Sequence, residues 1–143
     1  MAIYRAFAET GRRPELAALT RAAGSLEKAR EALAALAKDH IVVLDDDDPD
    51  LVEMAIPFSG VPGPHRVRVG AIDSWENCAW DTFGIIAALA NDRSEPMAGT
   101  ISSRCADCND DIELEVRDGQ VDGDALVHFV VPARHWWDDI RFT

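Results

Sequence analysis

Through the first 40 residues the apolar positions fall at helical spacing. Ile3, Ala6 and Phe7 share one face of residues 3–9, and Leu16 and Leu19 follow in 14–23, a stretch that Gly24 closes as a C-cap. Ser25 supplies an N-cap for residues 26–38, where Leu26, Ala29, Leu33 and Leu36 line one face. Lys28 stands where a capping box would carry Glu. After Lys38 the pattern changes. Residues 40–44 (HIVVL) and 51–58 (LVEMAIPF) are rich in β-branched and apolar side chains, flank an acidic turn at 45–50, and predict a β-hairpin. Three helices and a hairpin predict a winged-helix-like module over residues 1–58.

Residues 57–66 (PFSGVPGPHR) read as a Pro/Gly-rich connection. Residues 65–73 (HRVRVGAID) alternate as one strand running straight into a helix that Ser74 caps. Trp75, Ala79, Phe83, Ile86 and Leu89 recur along that helix. Three further strands are predicted at 99–104, 112–117 and 125–131. A Cys-Ala-Asp-Cys corner separates the first two, and a turn at Asp118-Gly119 follows the second. The fold class is α+β, with the N-terminal module at 1–58 and a core at 59–143.

Composition narrows the setting. A chain of 143 residues, 48% hydrophobic with four Trp, is long and apolar enough to bury one core. No apolar run approaches the roughly 18 to 20 residues that span a bilayer. The start MAIYRAFAETGRRPEL lacks the basic, apolar and cleavage segments of a signal peptide, so the sequence predicts a cytoplasmic protein with no membrane partner. Residues 1–40 carry seven Lys/Arg and five Asp/Glu, a net of +2, leaving −14 of the total −12 on the remainder. The helix at 26–38 has mixed charge and the turn reads DDDDPD, which phosphates repel; nucleic acid is not the expected partner.

Chemistry gathers around thiols. The three cysteines, Cys78, Cys105 and Cys108, are odd in number and read as free in a reducing compartment. A free Cys is commonly a small buried hydrophobe, so its surroundings decide its role. Counted from Ser74, Cys78 lies in the first helical turn, where unpaired N–H groups and the helix dipole favour thiolate. Asp81 follows three residues later on the same side. If the site is half-buried between Trp75 and Trp80, desolvation raises the pKa of Asp81 and lets it hold a transferable proton. The alternative is plain packing, with Asp81 facing water. Cys105-x-x-Cys108 is a two-ligand bite, half a zinc site by itself. With Cys78 it predicts a three-thiolate soft-metal site if the corner folds over the helix. Otherwise it is a tight corner with one thiol buried.

The stretches PFSGVPGPHRV, WENCAWDTFGI and ISSRCADCNDDIELEV resemble the alkylmercury lyase family, chiefly through Trp-x-x-Cys-Ala-x-Asp and Ser-Ser-x-Cys. That family joins a winged-helix-like helical module to a mixed-sheet core, so the resemblance implies such a core at 59–143. In it a thiolate pair attacks an organomercurial, an Asp protonates the leaving carbon, and Hg(II) stays on the thiolates until cellular thiols collect it. The resemblance implies that Cys78 is the first thiolate and Asp81 the proton shuttle, that no cofactor is required, and that Cys105 is structural. One departure stands out. The family's second catalytic cysteine lies in a C-terminal segment, and the corresponding residues 133–143 (ARHWWDDIRFT) hold none.

Three functional readings follow. One is a carbon–mercury lyase-like enzyme using Cys78 and Asp81, its mercury activity weak or altered with one thiolate. Another is a non-catalytic binder of a soft metal (Hg, Zn or Cu) or a small molecule. The third is other nucleophilic or acid–base chemistry on the same scaffold, in a pocket walled by Trp75, Trp80, Trp137 and Asp138.

Overall fold

The structure is a computed structural model that describes residues 2–142. Three helices open the chain: α1 (Ala2–Thr10), α2 (Leu16–Ala23) and α3 (Leu26–Lys38). Gly24 takes the left-handed conformation that ends α2, its N–H bonded to the Thr20 carbonyl. The Ser25 hydroxyl accepts the Lys28 N–H and starts α3. Strands β1 (Val43–Leu44) and β2 (Val52–Ala55) form the expected hairpin. The acidic run between them is a turn: the Asp45 carboxylate accepts the N–H groups of Asp47 and Asp48, and Asp50 takes a two-pronged bond from Arg30 of α3.

Beyond the hairpin the structure departs from the sequence reading in three places. Within the expected connection, β3 (Phe58–Ser59) pairs with β2. The single strand expected at 65–73 is instead a hairpin of β4 (His65–Val69) and β5 (Ile72–Glu76), turning at Gly70 with φ +59°. Strand alternation therefore runs on through Ser74, Trp75 and Glu76, and α4 (Ala79–Arg93) starts later than predicted. Two polar residues, Ser74 and Glu76, occupy the buried face of β5, which is why the period-two signal was masked. After β6 (Gly99–Arg104) and β7 (Asp111–Arg117), the turn at Asp118-Gly119 leads directly into β8 (Gln120–Asp122). The strand expected at 125–131 is absent. Those residues are irregular, with Leu126 95% and Val130 75% exposed, and a 3-10 helix (Ala133–Asp138) follows.

The eight strands form one sheet in the order β1-β2-β3-β5-β4-β6-β7-β8. All its pairings among the described residues are antiparallel, which corrects the mixed sheet expected from the resemblance. Hairpin-length links between most neighbours account for this, since parallel neighbours need long crossovers. Ile85, Ile86 and Leu89 of α4 join Val67, Val69, Ile101 and Leu114 in a hydrophobic core that also takes in Phe7 of α1, stacked 5.1 Å from Phe58. The 58/59 boundary of the sequence reading falls inside β3. Among the described residues, no helix is long and apolar enough to cross a membrane.

Candidate active site

Where β5 ends, the chain turns into α4, and Cys78 is the N-cap residue of that helix. Its backbone is extended (φ −143°, ψ 165°), and its side chain makes no capping bond. Thr82 steadies the turn by donating to the Ala79 carbonyl at 2.6 Å. Asn77, just before, donates to the carbonyls of Pro57 and Phe58 and so ties this loop to the β2–β3 turn. The site thus rests on two sheet connections and one helix end.

Cys78 and Asp81 stand three residues apart and line the same cavity, and the Asp81 N–H donates to the Cys78 carbonyl at 3.2 Å. The sequence reading expected a thiolate here. The structure corrects it: burial, with the adjacent Asp81 charge, pushes the Cys78 thiol up to about 11. The helix-end N–H groups pull the other way and are outweighed. Burial likewise raises Asp81, as anticipated, although the neighbouring Cys78 opposes the rise. At neutral pH the resting pair is a thiol beside a carboxyl group that holds a proton more readily than usual.

The walls differ from those predicted. Cys78 and Asp81 line a cavity of about 50 Å³ with Met54, Ile56, Asn77, Trp136 and Ile140. Of the four predicted pocket residues, none is among these. Trp75 lies on a strand, with the Arg66 guanidinium 5.2 Å from its ring. Trp80 is 55% exposed beside Phe83 and Phe129. Trp137 stacks on His40 at 4.2 Å, and Asp138 bonds His135 at 2.9 Å. The indole that reaches the cavity belongs to Trp136, held by its Nε1–H on the Val131 carbonyl at 2.8 Å. Arg141 anchors the same segment to the β1–β2 hairpin through Glu53, Asp46 and the Leu44 carbonyl.

Sequence reasoning also missed Glu76. It is 1% exposed, accepts the Ser74 hydroxyl at 2.7 Å through Oε1, and has no partner at Oε2. Burial, with the nearby Asp81 charge, raises it to about 8. An acidic residue at an inward position of an alternating strand, two residues before the cysteine, was the available signal. The predicted three-thiolate site is not formed. Among the described residues no group of three or more His, Cys, Asp or Glu is placed to hold a metal, and Cys105 and Cys108 sit apart at the β6–β7 corner.

A family model described as alkylmercury lyase matches residues 58–143. A crystal structure of the mercury-bound form of MerB2 is similar with a TM-score of 0.60 and 20% sequence identity, over 85% of this chain and 57% of that one. At this identity the likeness speaks for the fold alone, and the present chain spans little more than half the length of that relative. No curated protein matches the chain.

Proposed function

The chain belongs to the alkylmercury lyase family, and from that premise we propose that it acts on organomercurials with Cys78 as the mercury-accepting thiol and Asp81 as the proton shuttle. The placement of both side chains on one cavity at the start of α4 carries the reading. As the sulfur bonds to mercury, the thiol proton passes to the Asp81 carboxylate. Asp81 then returns that proton to the carbon, the carbon–mercury bond breaks, the hydrocarbon leaves, and Hg(II) remains on the sulfur. A raised Asp81 suits this role, because it holds the proton between the two steps. A soft cation displaces a thiol proton directly, so the high Cys78 pKa slows the first step without forbidding it.

The reaction should be slow. Residues 133–143 carry no cysteine, and Trp136 and Ile140 contribute apolar surface to the cavity where a second thiolate would have pushed electron density onto the metal. A small thiol from solution is the natural second ligand. That same wall favours a second reading, in which Cys78 binds a soft metal or small molecule without turnover. The order of three helices and a hairpin supports a winged-helix-like module at 1–58 that buttresses the 59–143 core. Its acidic turn speaks against contact with nucleic acid.

The test is incubation of the purified protein with phenylmercury and excess thiol, with benzene measured over time. Slow release that C78S and D81N abolish supports the lyase. Release no greater than that of C78S overturns it, and a retained equivalent of mercury without benzene identifies the binder.

A further inference from the structure

The β6–β7 corner holds two thiols that neither the core nor the candidate active site uses. Cys105 is half-buried and Cys108 exposed, so packing does not account for the pair. The corner is closed by two backbone bonds: the Cys105 N–H donates to the Asp110 carbonyl and the Asn109 N–H to the Cys105 carbonyl, each at 2.9 Å. Asn109 takes the left-handed conformation (φ +62°) that lets so tight a turn complete itself. Below it, the strands are in register at Arg104 and Asp111, whose side chains pair at 3.0 Å.

The bond from the Asn109 N–H to the Cys105 carbonyl closes a single turn that carries both cysteines, three residues apart. Both thiols therefore belong to one tight corner between paired strands, the arrangement in which a Cys-x-x-Cys pair can take one ion. Asp107 and Asp110 add carboxylates around the corner, while the cationic Arg104 is engaged by Asp111.

We propose that the Cys105–Cys108 corner is a second, solvent-facing metal site that chelates one soft d10 cation, Hg(II) or Cu(I), through its two thiolates. Two sulfur ligands suffice for such cations, whereas Zn(II) needs four donors, and among the described residues no third His, Cys, Asp or Glu is placed to join the two thiols. Binding Hg(II) forms two sulfur–mercury bonds and releases two thiol protons to solvent; nothing is oxidised or reduced. The site does not depend on Cys78, nor on the lyase reading. Chelation by two thiols on one turn outcompetes free monothiols by about 10² or more, through effective concentration.

The experiment uses the full chain carrying C78S, one equivalent of Hg(II) chloride and excess glutathione. Native mass spectrometry is expected to find one Hg(II) retained per chain, with retention weakened about 100-fold or more when C108S is added. In the C78S chain alone, Hg(II) is expected to protect both Cys105 and Cys108 from iodoacetamide, read by peptide mapping. Equal retention with and without Cys108, one Hg(II) per two chains, or unprotected labelling at both cysteines overturns the proposal.

Discussion

Cys78 and Trp136 line one cavity, the thiol from the N-cap of α4 and the indole from the 3-10 helix near the end of the chain. The indole is fixed by its bond to Val131, and Arg141 fastens the segment to the β1–β2 hairpin. The wall that Trp136 gives this cavity is therefore held in place from two sides.

Replacing that wall with a ligand tests the weak-lyase reading. W136C is expected to raise benzene release from phenylmercury at least tenfold, equivalent to about 1.4 kcal/mol off the barrier. Losing a half-buried indole also costs stability, about 2 kcal/mol, since full burial of Trp is worth roughly 3 to 5. Product formation per folded protein, with folding followed by circular dichroism, separates the two effects. W136A should lose the same packing and gain no rate.

Asp81 holds Cys78 in its thiol form partly by charge, so removing the charge should release the thiol. In a C105S/C108S background, D81N is expected to lower the Cys78 pKa and speed its alkylation by iodoacetamide several-fold at pH 8.5. The rate in the parent should climb about tenfold per pH unit toward pH 11, as the thiolate fraction grows. A flat parent profile between pH 7 and 9 would mean an ordinary or depressed thiol.

Gly11 ties the helical region to the strand that leads into the site. It ends α1 with its N–H on the Phe7 carbonyl at 2.7 Å, at φ +68°, and an added Cβ would run into the backbone of Asp73 in β5. G11A is expected to destabilise by about 2 to 4 kcal/mol, combining strain at positive φ with overpacking against rigid backbone. Thermal melting measures this directly. A melting temperature within 2 °C of wild type would mean that α1 shifts freely against β5.

Helices α1 to α3 were legible because their apolar residues keep one period and Gly24 and Ser25 punctuate them. Cys78 and Asp81 could be picked out by spacing and motif. What surrounds them could not, because the walls come from distant segments: Met54 in β2, Ile56 just after it, and Trp136 and Ile140 far along the chain. Choosing Trp136 over Trp137 required knowing how the 3-10 helix turns. Local pattern also misled at Ser74, a good N-cap by type that lies buried in β5. The thiol state failed for a related reason, since the helix-end effect is visible in sequence and the burial that outweighs it is not.

Glu76 makes stability depend on pH with a definite sign. Its carboxyl is raised to about 8 in the fold against an ordinary 4.5. Below 4.5 both folded and unfolded chains are protonated and burial costs little. Between 4.5 and 8 the unfolded chain ionises while the folded one keeps its proton, so stability falls as pH rises. Above 8 the loss levels off, on the order of a few kcal/mol in total. His65, lowered by burial, works oppositely, gaining stability as pH rises through the ordinary histidine range, while Asp81 shares the sign of Glu76. The difference between wild type and E76Q therefore isolates Glu76. Gln preserves the shape and can accept the Ser74 hydroxyl. Melting temperatures from pH 5 to 9 are expected to converge at the acid end and to separate progressively to pH 8, with E76Q the more stable. Parallel curves would mean that Glu76 ionises in the fold as readily as in the open chain.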